Sequence, residues 1–164
     1  MNENTISQIV SQVVSEVRGG ETKCITLAQA RRLIAKVEEK AAQIGVKAVV
    51  AVTNTAARPV AIECMDNSYI ASYDVALNKA FTVVALKMST IRLKSMTKPG
   101  DSLYGIQFTN DGKIVVFGGG DPLEYNGNII GGLGVSGGTE EQDTMLSAYG
   151  ASILPDIMKG EQHE

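Results

Sequence analysis

The stretch that decides the fold is Val115-Val116-Phe117-Gly118-Gly119-Gly120-Asp121-Pro122, continued by residues 127–143, which read Gly-Asn-Ile-Ile-Gly-Gly-Leu-Gly-Val-Ser-Gly-Gly-Thr-Glu-Glu-Gln-Asp. Two apolar runs, residues 114–117 and 129–135, are separated by a segment rich in Gly, Asp, Pro and Asn, which predicts two paired strands with an elaborated turn. Glycine weakens a strand unless something approaches the backbone closely or the strand bends. The stretch therefore predicts either a ligand-contacting edge or a tight subunit contact.

A helix is predicted directly after this stretch. Thr139 and Gln142 have the spacing of a capping box, and apolar residues then recur with helical period up to about residue 154, where Pro155 is expected to end the helix. The acidic residues of its first turn are expected to complement the helix dipole; they are Glu140, Glu141 and Asp143.

The rest of the chain supplies a second set of elements. Thr26 is the expected N-cap of a helix that Gly45 closes, and residues 48–53 and 60–65 form a predicted hairpin in which Val60, Ile62 and Cys64 share a face. Residues 66–68 offer caps to a long helix over 69–88, and Asn110-Asp111-Gly112 predicts a hairpin between strands 103–108 and 113–117. Helices interspersed with antiparallel hairpins indicate the α+β class.

The long helix is apolar on several sides, which predicts that it lies on the sheet and is covered again by another subunit of a homo-oligomer. Asp74 and Lys79 lie on this mostly apolar helix, where charges need partners. The pair is interpreted either as a local salt bridge or as part of a cofactor site or interface.

Composition excludes several classes of protein. The 164 residues with a formal net charge of −3 indicate one domain and argue against a nucleic-acid partner. The chain lacks the pattern of a signal peptide and an apolar run long enough for a membrane span, so we expect a cytoplasmic location. Cys24 and Cys64 are expected to be reduced thiols.

Residues 1–20 stand apart from the domain predicted over 21–164. Aliphatic residues recur at helical spacing before a Gly19-Gly20 joint, and they are Ile6, Ile9, Val10, Val13, Val14 and Val17. So short a helix needs a partner to bury this face, either its own domain, a sister subunit or a recruiting protein. The segment resembles the encapsulation peptides that direct enzymes into bacterial microcompartments, which implies shell or cargo proteins as partners. Its polar face lacks the Lys and Arg of a membrane-surface helix.

The single histidine is His163, near the end of the chain, which excludes a core triad and a multi-histidine metal site. The triple glycine is not followed by the Lys-Ser/Thr of a phosphate-binding loop. The residues themselves thus indicate a glycine-built pocket or interface without a visible catalytic centre.

Five segments in order resemble the HbpS/GlcG family, which includes the C-terminal domain of PduO-type corrinoid adenosyltransferases. The segments are residues 27–30, 74–80, 99–105, 117–122 and 134–143. The resemblance implies a profilin-like fold with a five-stranded antiparallel sheet flanked by helices, assembly into oligomers, and binding of haem or a related tetrapyrrole in some members. It does not extend to the ATP-binding domain of the adenosyltransferases.

Two departures from the family are visible: the lack of a core histidine, and Asn54-Thr55-Ala56-Ala57 where the family often has Asp-Ala-Gly-Gly. The expected function is a ligand-binding accessory protein rather than an enzyme, with haem or a corrinoid as the ligand. The alternatives are a structural protein that has lost the ligand and an enzyme acting on small polar metabolites. The residues expected to line the pocket are Met65, Tyr69, Tyr73, Met88, Gly118, Gly119, Gly120 and Pro122.

Overall fold

The computed structural model describes residues 6–8 and 24–159. The elements of the domain are α1 Leu27–Gln43, β1 Val49–Thr53, β2 Pro59–Cys64, α2 Ser72–Leu86, α3 Thr90–Lys94, β3 Gly120–Tyr125, β4 Asn128–Ser136 and α4 Glu140–Lys159. The strands form one antiparallel sheet in the order β2-β1-β4-β3. The α+β class is confirmed, but the described part of the chain has four strands where five were expected.

The predicted N-cap of α1 and the predicted capping box of α4 are confirmed. The Thr26 hydroxyl accepts the Gln29 amide, and the Gln29 side chain accepts the Thr26 amide, so the first turn of α1 is closed from both sides. Thr139 and Gln142 make the same reciprocal bonds, at 3.3 and 2.9 Å, ahead of α4. Local side-chain chemistry therefore sets where these two helices begin.

Two other helix boundaries were predicted wrongly. Helix α2 begins at Ser72 rather than at residue 69, and its N-cap, Ala71, makes no side-chain cap bond, because the expected cap segment forms a separate turn with Asn67 at φ 64°. Helix α4 continues through Pro155 to Lys159. The last turn is held by tertiary packing, since Ile157 and Met158 are buried in the core.

The hairpin predicted around residues 110–112 is absent from the described residues. That region forms two 3-10 turns, Ile106–Phe108 and Asn110–Gly112, with Asn110 and Asp111 at positive φ. Ile114 and Val115 are buried after these turns, and the Val115 amide donates to the Thr82 hydroxyl at 3.0 Å instead of to a strand. The Thr82 hydroxyl of α2 thus takes the place of the strand partner that the sequence pattern predicted for the Val115 amide.

The segment that was predicted to be a turn contains a strand. Strand β3 occupies residues 120–125, and the hairpin turn to β4 is the shorter pair Asn126-Gly127, both at positive φ. Strand β3 is an edge strand, which tolerates Pro122 because an edge leaves one row of amides outside the ladder.

The two faces of the sheet are covered differently. On one face, α1 and α4 pack on Val50, Val52, Leu133 and Val135 in the main core. On the other face, α2 lies across β4 and β1 and barely touches β2. Here the residues of β4 are glycines: a Cβ at Gly132 would lie 2.4 Å from the carbonyl oxygen of Ala80, and one at Gly134 would lie 2.0 Å from that of Ala76. Glycine at these positions therefore allows the backbone of a helix to pack directly on a strand within one protomer.

The predicted N-terminal helix lies mostly outside the described residues. Residues 6–8 are helical and Ile6 is 46% exposed, while Ile9, Val10, Val13, Val14 and Val17 fall in the part that is not described. Across the described residues, the helices are too short or too polar to cross a bilayer.

We expect Gly134→Ala to lower the free energy of unfolding by about 3 kcal/mol, because its methyl group meets the backbone of α2, which cannot move without unpacking the sheet. Gly127→Ala is the control: its surroundings are open, and only its φ of +74° opposes a side chain, at about 1 kcal/mol. Urea denaturation measures both. Equal losses in the two variants would contradict the close helix–strand contact.

Candidate functional site

A buried ion pair lies between the sheet and two helices. The Lys79 Nζ donates to Asp143 Oδ2 at 2.9 Å and to the Val135 carbonyl at 2.7 Å, and the two side chains are 0% and 5% exposed. The other carboxylate oxygen of Asp143 accepts the Gly138 amide at 2.9 Å. Both charges thus have partners, as buried charges require.

This pair corrects two expectations. Lys79 pairs with Asp143, across 64 positions of the sequence, and not with Asp74, which is exposed. Asp143 does more than complement the dipole of α4, because it anchors that helix to α2. The sequence signal was present in the form of a lysine on the inward, apolar face of α2, but it did not identify the partner.

Burial is the larger influence on the charge of both partners. It lowers the pKa of Lys79, against the opposing attraction of Asp143. Burial likewise raises the pKa of Asp143, against the attraction of Lys79 and the amide of Gly138. Each charge is therefore maintained in this interior by the other.

The triple glycine wraps around this lysine. Gly119, at φ +109°, is so close that a Cβ would lie 2.5 Å from the Lys79 Nζ and 2.8 Å from the Cβ of Asp143. The Gly120 amide donates to the Thr90 hydroxyl at 3.0 Å. The Phe117 ring lies 4.8 Å from the Lys79 Nζ, in cation–π geometry. The space around Gly119 and Gly120 is thus filled by side chains of this chain.

A second ion pair extends this framework to the surface. The Glu140 carboxylate accepts the Gly118 amide at 2.9 Å and pairs with Lys94, and the bond from Lys94, followed by that from Gly118, lowers the pKa of Glu140. Beside it lies a cleft of about 400 Å³. Its lining combines apolar side chains with charged and polar ones: Ile91, Lys94, Glu140, Glu141, Thr144, Met145 and Ala148. Among the described residues, no three metal-ligating side chains come together.

The residues predicted to line a ligand pocket are spread over the protomer. Gly118, Gly119 and Gly120 are buried beside α4, and Pro122 lies on β3 opposite Gly132. Tyr73 and Met88 lie at opposite ends of α2, about 20 Å apart at about 1.5 Å per residue.

Both tyrosines of the predicted lining lie close to the N-terminal end of α2. Tyr69 and Tyr73 are 74% and 45% exposed there. Met65 is half-buried, and its sulfur accepts the Ala48 amide at 3.3 Å. Of the residues predicted to line the pocket, the two tyrosines therefore present exposed aromatic surface.

An apolar surface that the sequence did not indicate lies beside these tyrosines. We name it the β2–α2 flank and define it by Ile62, Cys64, Tyr73 and Leu77. In the register of the sheet, Ile62 is opposite Ala51 and Cys64 is opposite Val49, so both side chains face the side of the sheet that α2 covers. Because α2 stops short of β2, these residues stay partly open.

One packing cluster and one hydrogen bond fix the order of residues along the flank. Leu77 and Ile62 pack against the same small cluster under α2. The Ser136 hydroxyl donates to the Ser72 hydroxyl at 3.1 Å, and Ser136 pairs with Val49, which is opposite Cys64. Along α2, Tyr73 lies one turn before Leu77, and along β2, Cys64 lies two residues after Ile62. Both steps lead toward the end of the sheet at Val49 and Ser136. The Tyr73 ring and the Cys64 thiol therefore lie at the same end of the flank.

Both cysteines are free and exposed, as predicted for the absence of a disulfide, although neither is a buried structural thiol. Val60 does not share the face of Ile62 and Cys64. A register shift between Val52 and Thr53 turns it toward the main core instead.

Residues 25–152 match the family described as haem degrading protein HbpS-like. The corrinoid adenosyltransferase PduO of Salmonella typhimurium is 40% identical over 105 residues, which cover 64% of this chain and 31% of the adenosyltransferase. The chain thus spans about a third of that relative.

Two solved structures have the same fold. Protein ORFY of Klebsiella pneumoniae is 41% identical, with a TM-score of 0.80 over 82% of this chain and 93% of that one. A PduOC:haem complex is 33% identical, with a TM-score of 0.76 over 79% of this chain and 94% of that one. On the family match, which spans most of the domain, this chain belongs to the HbpS-like family.

Proposed function

We propose that this chain is a tetrapyrrole-binding accessory protein, with haem or a corrinoid as its ligand. The observation that carries the proposal is the haem complex of a relative that is 33% identical and shares most of this domain. Among the described residues no three metal-ligating side chains come together, and the proposed role is binding rather than catalysis. The adenosyltransferase activity of PduO is not part of the proposal.

The proposed ligand needs an apolar surface for its macrocycle and a donor for its metal. Aromatic and aliphatic surface is exposed on the β2–α2 flank and beside it, where Ile70 is 97% exposed. Thiolate, phenolate and thioether groups all serve as axial ligands of haem in proteins. Cys64, Tyr69 and Tyr73 bring the first two of these groups to the same end of α2.

The competing proposal is a structural protein that has kept the fold and lost the ligand. Its motive is the lone histidine, His163, which lies outside the described residues. The two proposals differ in one property, since only the first requires saturable binding of a tetrapyrrole.

We expect haemin to bind the purified chain at one site per protomer, with a saturable shift of its Soret band at micromolar concentration. Aquacobalamin, titrated in parallel, tests whether a corrinoid is the ligand. Equilibrium dialysis separates stoichiometric binding from adsorption of haemin to exposed apolar surface. If neither tetrapyrrole saturates, the ligand-binding role is wrong and the structural alternative is favoured.

We further propose that the protein acts as a homo-oligomer, with exposed apolar side chains of the protomer at the subunit contacts. Large apolar side chains are exposed on the protomer at Tyr69, Ile70, Tyr104 and Phe108, the last of them 81% exposed. Exposed aromatic residues of this kind act as anchors in protein interfaces. The occupant of this surface is proposed to be a second copy of the chain.

For residues 1–20 we propose a targeting role, namely recruitment to the lumen of a bacterial microcompartment by shell or cargo proteins. The support is the apolar stripe of residues 6–17, which a short helix cannot bury alone, and the Gly19-Gly20 joint before the domain.

Deletion of residues 1–20 is expected to leave the thermal midpoint and the oligomer mass unchanged, because the domain has its own core. Light scattering should give a multiple of 17.4 kDa for the full chain. Fusion of residues 1–20 to a fluorescent protein should produce puncta when compartments are co-expressed. A diffuse fusion together with collapse of the oligomer would identify the segment as a structural arm instead.

A further inference from the structure

The two edges of the sheet differ in how their outward backbone groups are used. On β3, the Gly120 amide points outward and donates to the Thr90 hydroxyl at 3.0 Å. Pro122 follows two residues later on the same row and has no amide to offer, while the exposed Glu124 adds a charge. Proline, charge and an occupied amide all keep an edge strand from pairing with another chain. The β3 edge is therefore closed.

The β2 edge is open over its second half. The Met65 amide donates to the Ala48 carbonyl at 3.0 Å, so alternate residues back along β2 also direct their backbone groups at β1. The amides and carbonyls of Ile62 and Cys64 consequently point away from the sheet, where no strand of the described residues pairs with them. The register shift of β2 lies at its opposite end and leaves this half regular. This row is free to pair with another strand.

We propose that β2 pairs with β2 of a second copy of this chain, antiparallel and about a two-fold axis at Ile62. Two four-stranded sheets then join into one sheet of eight strands. The inference rests on the proposed homo-oligomer and adds the strand and the register. A two-fold contact requires a surface that is complementary to itself. The sequence of β2 and its flanking residues meets this requirement in two ways.

Backbone direction and side-chain charge select the register. With Ile62 opposite Ile62 of the second copy, the outward groups of the two strands meet and Glu63 lies opposite Ala61. A shift of two residues would place the two Glu63 carboxylates opposite each other, which is unfavourable. Since Ile62 faces the side of the sheet that α2 covers, the apolar floor of the β2–α2 flank continues across the axis.

The same register brings opposite charges together at both ends of the pairing. Arg58 precedes β2 and Asp66 follows Met65, so each lies across from the other in the second copy. Both are exposed, and neither forms an ion pair with another described residue of its own protomer. Exposed ion pairs contribute little to affinity, but complementary charges fix register and partner. The second copy thus supplies a partner for each charge.

Disulfide crosslinking tests the register in the full chain, with C24S and C64S as the background. Residue 61 and residue 63 of the second copy form a non-hydrogen-bonded pair with Cα atoms about 4.5 Å apart, which a disulfide can span. We expect A61C/E63C to form covalent dimers on mild oxidation, and A61C or E63C alone to remain uncrosslinked. Crosslinking of E63C alone would place the two copies of residue 63 opposite each other and overturn the register.

Light scattering tests the surface. I62R places two cations opposite each other and should weaken association about tenfold or more, so that the mass falls to about half or less at micromolar concentration. E124R, on the closed β3 edge, is the matched control and should leave the mass unchanged. Circular dichroism checks that both variants are folded.

The outcomes separate this inference from the proposed oligomer. An oligomer whose mass is unchanged in I62R, and which A61C/E63C does not crosslink, would overturn pairing through β2 while leaving the homo-oligomer intact. A full chain that is monomeric would overturn both.

Discussion

The buried contact between Lys79 and Asp143 is the interaction on which the rest of the structure depends. Through it, α2, the end of β4 and the first turn of α4 meet at one ammonium group. The triple glycine closes around that group, since a side chain at Gly119 would collide with it. Removal of one charge would leave the other buried without a partner, a situation that typically costs about 3–5 kcal/mol.

This constraint explains which surfaces of the protomer are filled from within and which stay open. The glycine-rich motif is the most conspicuous feature of the sequence, yet its glycines serve contacts within the protomer. Gly132 and Gly134 admit the backbone of α2, and Gly119 and Gly120 admit Lys79 and Thr90. The open surface lies instead on the β2–α2 flank, because α2 is held over β4 and β1 and leaves the edge strand uncovered.

Sequence predicted those parts of the fold that local chemistry decides. The N-cap of α1, the capping box of α4, the buried strand β1 and the helical period of α1 follow from neighbouring residues, and all four are found. It failed where tertiary contacts override local preference. Turn-forming residues around Pro122 form an edge strand. In the apolar run at residues 114–117, the Val115 amide donates to the Thr82 hydroxyl rather than to a partner strand. The partner of Lys79 and the open face of Cys64 depend on the register of the sheet, which a single sequence does not contain.

The most direct test of this account is a double-mutant cycle on the buried pair, with Lys79→Met, Asp143→Asn and the double variant measured by urea denaturation. Asparagine keeps an oxygen for the Gly138 amide, so that the change removes the charge with little change in shape. The account predicts that each single variant loses about 3 kcal/mol or more and that the double variant loses much less than the sum, with a coupling of about 2 kcal/mol. Additive losses would contradict it, because they would mean that neither charge depends on the other.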